Sequence, residues 1–241
     1  MAGYVDGFVV PVPKKNVEAY RRMAQKAGKI WREHGALEFR ECVADQLDVP
    51  MAMPFPRRIK LKPDETLFFS WIVYKSRAHR DRVNKKVMAD PRIAKMDPKT
   101  MPFDGKRMIY GGFESIVDEA DGDRGGYLDG YLVPVPEGNK EAYREMAQKA
   151  AQVFKEYGAT RVVEAWGDDV PDGEVTDYKR AVKARKDERI VYSWVEWPDK
   201  ATRVEGWKKV MEDPRMQPGQ GDMPFDGKRL IYGGFVPIVD R

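Results

Sequence analysis

Tyr4-Val5-Asp6-Gly7-Phe8-Val9-Val10 stands near the start of the chain, and Tyr127-Leu128-Asp129-Gly130 repeats its opening 123 residues later (127 less 4). Trp71 and Trp194 keep that offset, and so do Met88 and Met211 at the head of two Met-x-Asp-Pro-Arg runs. Met101-Pro102-Phe103-Asp104-Gly105-Lys106-Arg107 returns at 223–229, an offset of 122, so one residue has been lost between the two. The 241 residues therefore hold two copies of one unit. A period this long marks a pair of complete domains rather than a solenoid, whose repeats run to about 20–50 residues. Each copy, about 115 residues long, can bury a core without disulfides. The expected domains are residues 1–118 and 127–241, with the acidic, Gly-rich segment 119–126 as a flexible connector.

Within each copy the pattern alternates between strand and helix. Residues 4–12 are rich in Val and aromatics and end at Pro13, as a strand does. After Asn16, Val17, Tyr20, Met23, Ala24, Ala27, Ile30 and Trp31 recur at helical spacing until Gly35. Residues 37–43 and 161–166 read as second strands, and 67–74 and 190–197 as buried third strands. A second helix at 78–88 and 201–211 stops before Asp-Pro, and a last strand covers 107–113 and 229–235. Residues 177–184 extend or add a strand in the second copy. The order is β-α-β-β-α-β, the ferredoxin-like α+β pattern, with helices on one sheet face. The bare faces of the two sheets then close on each other, giving a pseudo-dimeric α/β barrel within one chain.

These same residues carry a resemblance. The opening Tyr-Val-Asp-Gly, Val170-Pro171-Asp172-Gly173 with Thr176-Asp177, the Met-x-Asp-Pro-Arg runs and the run Met-Pro-Phe-Asp-Gly-Lys-Arg-x-Ile-Tyr-Gly-Gly-Phe at 101–113 and 223–235 resemble the bacterial YbaA-like family. That family has no assigned function and belongs to the dimeric α/β-barrel superfamily. The resemblance covers almost all of both copies and implies a fused dimer. The superfamily includes small-molecule oxygenases and haem-handling proteins, an analogy of fold alone. The first copy departs from the pattern at residues 45–58, where three prolines and two methionines disfavour a hairpin, so a family site on this segment is expected only in the second copy.

Composition narrows the function classes. Hydrophobic residues make up 42 % and charged residues 34 %, as in ordinary globular proteins. No apolar stretch approaches the ~18 residues that span a bilayer, and no signal-peptide pattern opens the chain. With Cys42 alone, a cytoplasmic protein without membrane contact is expected. A net charge of +4 is too slight for nucleic acid, and the strands lack RNA-recognition aromatics, so the basic helix face of Arg80, Arg82, Lys85 and Lys86 reads as solvated. His34 and His79 face Tyr157 and Thr202 across the repeat, which argues against a twofold His site, and neither metal nor cofactor is expected. Nucleotide-binding and serine-hydrolase motifs are absent from the sequence.

The candidate site residues are polar groups at matched positions. Asp6 and Asp129 lie within first strands, and Glu41 and Glu164 within second strands. Each is either a structural group, an ion pair with Arg107 or Arg229 for the aspartates or a solvent-facing edge, or a barrel carboxylate raised in pKa and serving as general base or ligand acceptor. Lys106, Arg107, Lys228 and Arg229 belong to a tight turn or donate to an anion at a pocket mouth. Tyr20 and Tyr143, Trp71 and Trp194, and Tyr110 and Tyr232 are core aromatics first and ligand-lining walls second. Two readings of function remain open. One is a barrel that binds or converts a small polar or anionic organic molecule. The other is a non-catalytic structural or stress-associated protein.

Overall fold

The computed structural model describes residues 3–48, 52–217 and 223–241. The first repeat runs β1 (Tyr4–Pro13), α1 (Val17–Glu33), β2 (Glu38–Gln46), α2 (Phe55–Arg58), β3 (Glu65–Tyr74), α3 (Arg77–Ala89), α4 (Pro91–Ala94) and β4 (Ile109–Ala120). The second runs β5 (Tyr127–Pro136), α5 (Lys140–Glu156), β6 (Arg161–Asp169), α6 (Tyr178–Val182), β7 (Glu188–Trp197), α7 (Lys200–Glu212) and β8 (Ile231–Asp240). The eight strands form one closed antiparallel barrel in the order β1-β3-β2-β8-β5-β7-β6-β4. The sheets thus face each other as expected and also join edge to edge. Both joins, β2 with β8 and β4 with β6, carry register shifts. Bulges of this kind bend a strand, and here they stand where one sheet turns into the next.

Strand alternation sends Val5, Gly7 and Val9 into the barrel, and Tyr4, Asp6, Val10 and Val12 towards the helices. A column of side chains fills the barrel along the pseudo-twofold axis. Phe69 stacks on Tyr192 and Trp71 on Trp194, both with ring centroids 4.3 Å apart. Each of these pairs is one position meeting its own counterpart at the 123-residue offset. The rings come close because Gly7 and Gly130 offer no side chain. A Cβ on Gly7 would lie 2.9 Å from the Tyr192 ring, and one on Gly130 the same distance from Phe69.

Two expectations need correction here. Residues 177–184 form a one-turn helix, α6, rather than a strand, with Asp177 capping the Arg180 amide at 2.7 Å. The first copy builds its own turn, α2, from the proline-rich segment, so the two copies agree more than their sequences do; Val49, Pro50 and Met51 lie outside the described residues. Phe55, Ile59, Tyr178, Ala181 and Val182 from these turns enter the barrel core, and Arg58 bonds the Ala181 carbonyl at 2.6 Å. The turns plug one mouth of the barrel. The connector is also tighter than its composition implies. Residues 118–120 continue β4, and Gly125 is buried.

Candidate functional site

The in-strand aspartates point away from the barrel. Asp6 accepts from Arg80 Nε at 2.8 Å and Asn84 Nδ2 at 3.1 Å, both on α3. Asp129, fully buried, takes Arg203 NH2 at 2.8 Å together with the indole N–H groups of Trp197 at 3.0 Å and Trp207 at 2.8 Å. Burial raises the Asp6 carboxyl, against the opposing pull of Arg80. The arginines that hold these acids come from α3 and α7, not from Arg107 or Arg229 as the sequence led us to expect. Arg80 is therefore half-buried against the sheet rather than on a freely solvated helix face.

Arg107 and Arg229 serve the barrel plug. Arg107 is buried against Glu65 and bonds the Lys60 carbonyl at 2.7 Å. Arg229 bonds Glu188 at 2.7 Å, Asp226 at 3.0 Å and the Lys183 carbonyl at 3.0 Å. Lys60 and Lys183 are the two positive-φ residues other than glycine among the described residues, at 56° and 53°, so each arginine clamps a strained turn. Lys106 pairs with exposed Glu174 at 3.1 Å, and Lys228 is exposed. Asp104 and Asp226 cap the turns through the amides of Lys106 and Lys228. For the two arginines these contacts agree with the turn, the first of the two readings.

Glu41 and Glu164 stand apart from every other buried acid described so far, because hydroxyls rather than arginines hold them. Tyr20, on α1, donates to Glu41 Oε2 at 2.9 Å, and Ser70 donates to the same oxygen. Tyr143, on α5, donates to Glu164 Oε2 at 2.8 Å. Burial pushes Glu41 up to about 7, against the hydroxyls of Ser70 and Tyr20. It pushes Glu164 to about 7 too, against Tyr143 and Ser193. Near neutral pH each carboxyl is therefore poised between its two protonation states.

The long sequence motif closes over these carboxyls. Phe103 meets the Tyr20 ring edge-on at 5.6 Å, and Phe225 meets Tyr143 at 5.7 Å. Asn16 and Asn139 hold the motif by bonding the Pro102 and Pro224 carbonyls at 2.8 and 2.9 Å. The copies differ in access. Glu41 is 7 % exposed, whereas Glu164 is half-buried as a residue, although both carboxyls are enclosed. Beside Glu164 stands Tyr131, whose enclosed hydroxyl has no partner among the described residues; the first copy has Phe8 there. Tyr232 stacks on Tyr131 at 5.5 Å and on Trp207 at 6.3 Å, while Tyr110 is 46 % exposed.

Trp71 and Trp194 belong to the barrel column, and their stacking leaves no room for a ligand between them. Above them, at the unplugged mouth, lies a charged cluster that sequence reasoning missed: Glu38, Arg40, Arg161 and Glu196. It lies against a hollow of about 480 Å³ whose rim includes Asp118, Arg124 and Thr160. Arg80 with Arg203 and Ser70 with Ser193 were also missed, although the constant offset marks both pairs. Among the described residues no His, Cys, Asp or Glu cluster is arranged to hold a metal ion, and no helix is long and apolar enough to cross a membrane.

Comparison with known proteins agrees with this architecture. Uncharacterized protein YbaA of Escherichia coli (strain K12) is 57 % identical over 115 residues, which are 48 % of this chain and 98 % of that protein. The Shigella flexneri protein of the same name matches equally. A "putative monooxygenase" from Lactobacillus acidophilus NCFM superposes with a TM-score of 0.59 at 10 % identity, covering all of this chain and 96 % of the other. A second protein so described, from Fusobacterium nucleatum, gives 0.56 at 8 % identity, covering all of this chain and 94 % of the other. The family model described as "Protein of unknown function (DUF1428)" matches twice, over residues 3–105 and 126–227, and the chain belongs to that family as a tandem of two of its domains.

Proposed function

We propose that the protein binds a small polar or anionic organic molecule on the helix side of its sheet, with Glu164 exchanging a proton with it. The observation that carries this reading is the pair of hydroxyl-held carboxyls, each raised to about 7. A neutral carboxyl donates a hydrogen bond to an anionic oxygen, and its conjugate base removes a proton from an activated C–H or O–H. The second copy supports the reading best, since Glu164 is the less buried residue of the pair and the unpartnered Tyr131 hydroxyl supplies a further polar contact. This acid–base role asks for no cofactor, and the buried thiol of Cys42 agrees with a cytoplasmic setting. The structural neighbours described as monooxygenases, at a tenth identity or less, lend the fold and not the activity.

A second reading rests on the filled barrel. Its axial column leaves no ligand space, and the in-strand aspartates are tied to arginines, as in a purely structural protein. Ligand-observed NMR with a set of small carboxylic acids and phenols separates the two. Binding seen with the native protein and lost in Glu164→Gln and Tyr143→Phe supports the site. Absence of binding, or binding indifferent to both substitutions, sinks it in favour of the structural reading.

A further inference from the structure

Positions 38 and 161 are one position in two copies, and they meet across the pseudo-twofold axis. Arg161 NH1 lies 2.9 Å from Glu38 Oε2. A residue on such an axis faces its own counterpart, so in a pair of identical halves it would face itself. Glu38 would meet a second glutamate, and Arg161 a second arginine. This ion pair exists only because the halves differ in sequence.

The next contact repeats the logic off the axis. Arg40 pairs with Glu196, both almost wholly buried. The symmetry-related contact falls between positions 163 and 73, and both are valines in the barrel core. Two first halves would set Arg40 against Val73, and two second halves would set Glu196 against Val163. Each half still carries one acid and one base at this mouth, so the discrimination lies in register rather than in net charge.

The surroundings hold these four groups in place. Trp71 Nε1 donates to Glu38 at 2.7 Å, and Trp194 Nε1 donates to Glu196 at 3.0 Å. Arg40 lies over the Trp71 ring and Arg161 over the Trp194 ring, both 5.7 Å from the centroid. Asp118 takes Arg161 Nε at 2.9 Å. Burial opposes ionisation of Glu38, yet Arg161 and Arg124 hold its carboxyl below the ordinary value. The connector completes the set, for the Gly125 amide donates to Glu196 at 3.0 Å and its carbonyl accepts from Arg40.

We propose that Glu38, Arg40, Arg161 and Glu196 form a recognition surface through which each half accepts only the unlike half of this chain and rejects a second copy of itself. Buried ionic groups are best attested in this kind of registry role. Glu38→Arg in the full chain recreates the arginine–arginine meeting of two second halves. Arg161→Glu recreates the glutamate–glutamate meeting of two first halves. The double variant restores an ion pair with its signs exchanged. Urea unfolding and light scattering of the eluted protein are measured on all three.

Each single variant is expected to raise the unfolding constant by a hundredfold or more, to order of magnitude. The double variant is expected to recover most of that loss and elute as the native protein does. Singles as stable as the native chain overturn the proposal, and so does a double no better than its worse parent. Glu38→Gln guards against a mere packing failure, because its amide oxygen still accepts from Trp71. If that variant matches the native protein in both stability and mass, the charge carries no pairing information and the proposal is wrong.

Discussion

Replacing Glu41 by glutamine tests whether a neutral carboxyl is built into the helix–sheet layer. Glutamine keeps the shape and an acceptor for Tyr20 and Ser70, and it removes the titration. In the folded chain burial lifts Glu41 from 4.5 to about 7. At 1.36 kcal/mol per unit, this difference is worth about 3 kcal/mol between the protonated and ionised states. The sign follows from proton binding. Between pH 4.5 and 7 the folded state holds a proton that the unfolded chain has released, so stability falls as pH rises. The contribution is fully present below about pH 4.5 and is lost as pH passes through about 7. Urea unfolding of native protein and Glu41→Gln, at unit steps from pH 5 to 8, isolates this group, because all other titrations cancel in the difference. The native protein should lose roughly 2–3 kcal/mol relative to the variant across that range. A difference constant to within about 0.5 kcal/mol would show that Glu41 titrates as an ordinary carboxylate, and the reasoning would fail. Glu164→Gln should follow the same curve, since burial lifts its carboxyl to about 7 as well.

Asp129→Asn removes the carboxylate that Arg203, Trp197 and Trp207 share, and should cost on the order of 3–5 kcal/mol in urea unfolding. A loss below about 1 kcal/mol would show that Arg203 finds another partner. Gly130→Ala drives a methyl against the Phe69 ring and should cost about 1–3 kcal/mol; unchanged stability would mean that the column shifts freely. Arg107→Met frees Glu65 and the strained Lys60 turn, so it should lower the thermal midpoint while leaving binding of small acids intact. Lost binding in a variant that remains folded would return Arg107 to the site.

The sequence told the architecture through its offset, because both copies spend the same residues on the same core positions. It left open which sheet face carried the acids. Both faces of β1 are apolar, one through Val5 and Val9 and the other through Tyr4, Val10 and Val12. The discriminating signal was Gly7 with Gly130, which the ring of the opposite repeat covers. Arg107 and Arg229 drew attention because they sit in a conspicuous motif, while Arg80 and Arg203 are scattered on helices among other charges. Residues 177–184 misled because a single helical turn is too short to display its period, and three apolar residues in it pass equally for a strand. The connector read as loose because Gly125 was taken for flexibility. A Cβ there would lie 2.6 Å from the Trp197 carbonyl, so the glycine serves close approach.

The two faces of this sheet do different work, and that separation bears on where a ligand would bind. The inner face is committed to holding the repeats together, by stacked rings along the axis and four charges at one mouth. A ligand on that face would have to break the contact that makes the barrel. The outer face carries the groups still able to change protonation state near neutral pH, and it carries one set in each repeat. Joining the copies in one chain frees them to diverge, and at this face they have. Phe8 stands where the second copy has Tyr131 and Asn84 where it has Trp207, while the carboxyl, the tyrosine and the serine are the same in both. Glu41, buried as a whole residue, suits a structural partner, and Glu164, half-buried and beside an unpartnered hydroxyl, suits the repeat that would meet a ligand. If the copies have divided their tasks this way, Glu164→Gln abolishes binding of small acids and Glu41→Gln leaves it unchanged. Equal losses from the two substitutions would instead show two equivalent sites, and the differences at Tyr131 and Trp207 would be packing alone.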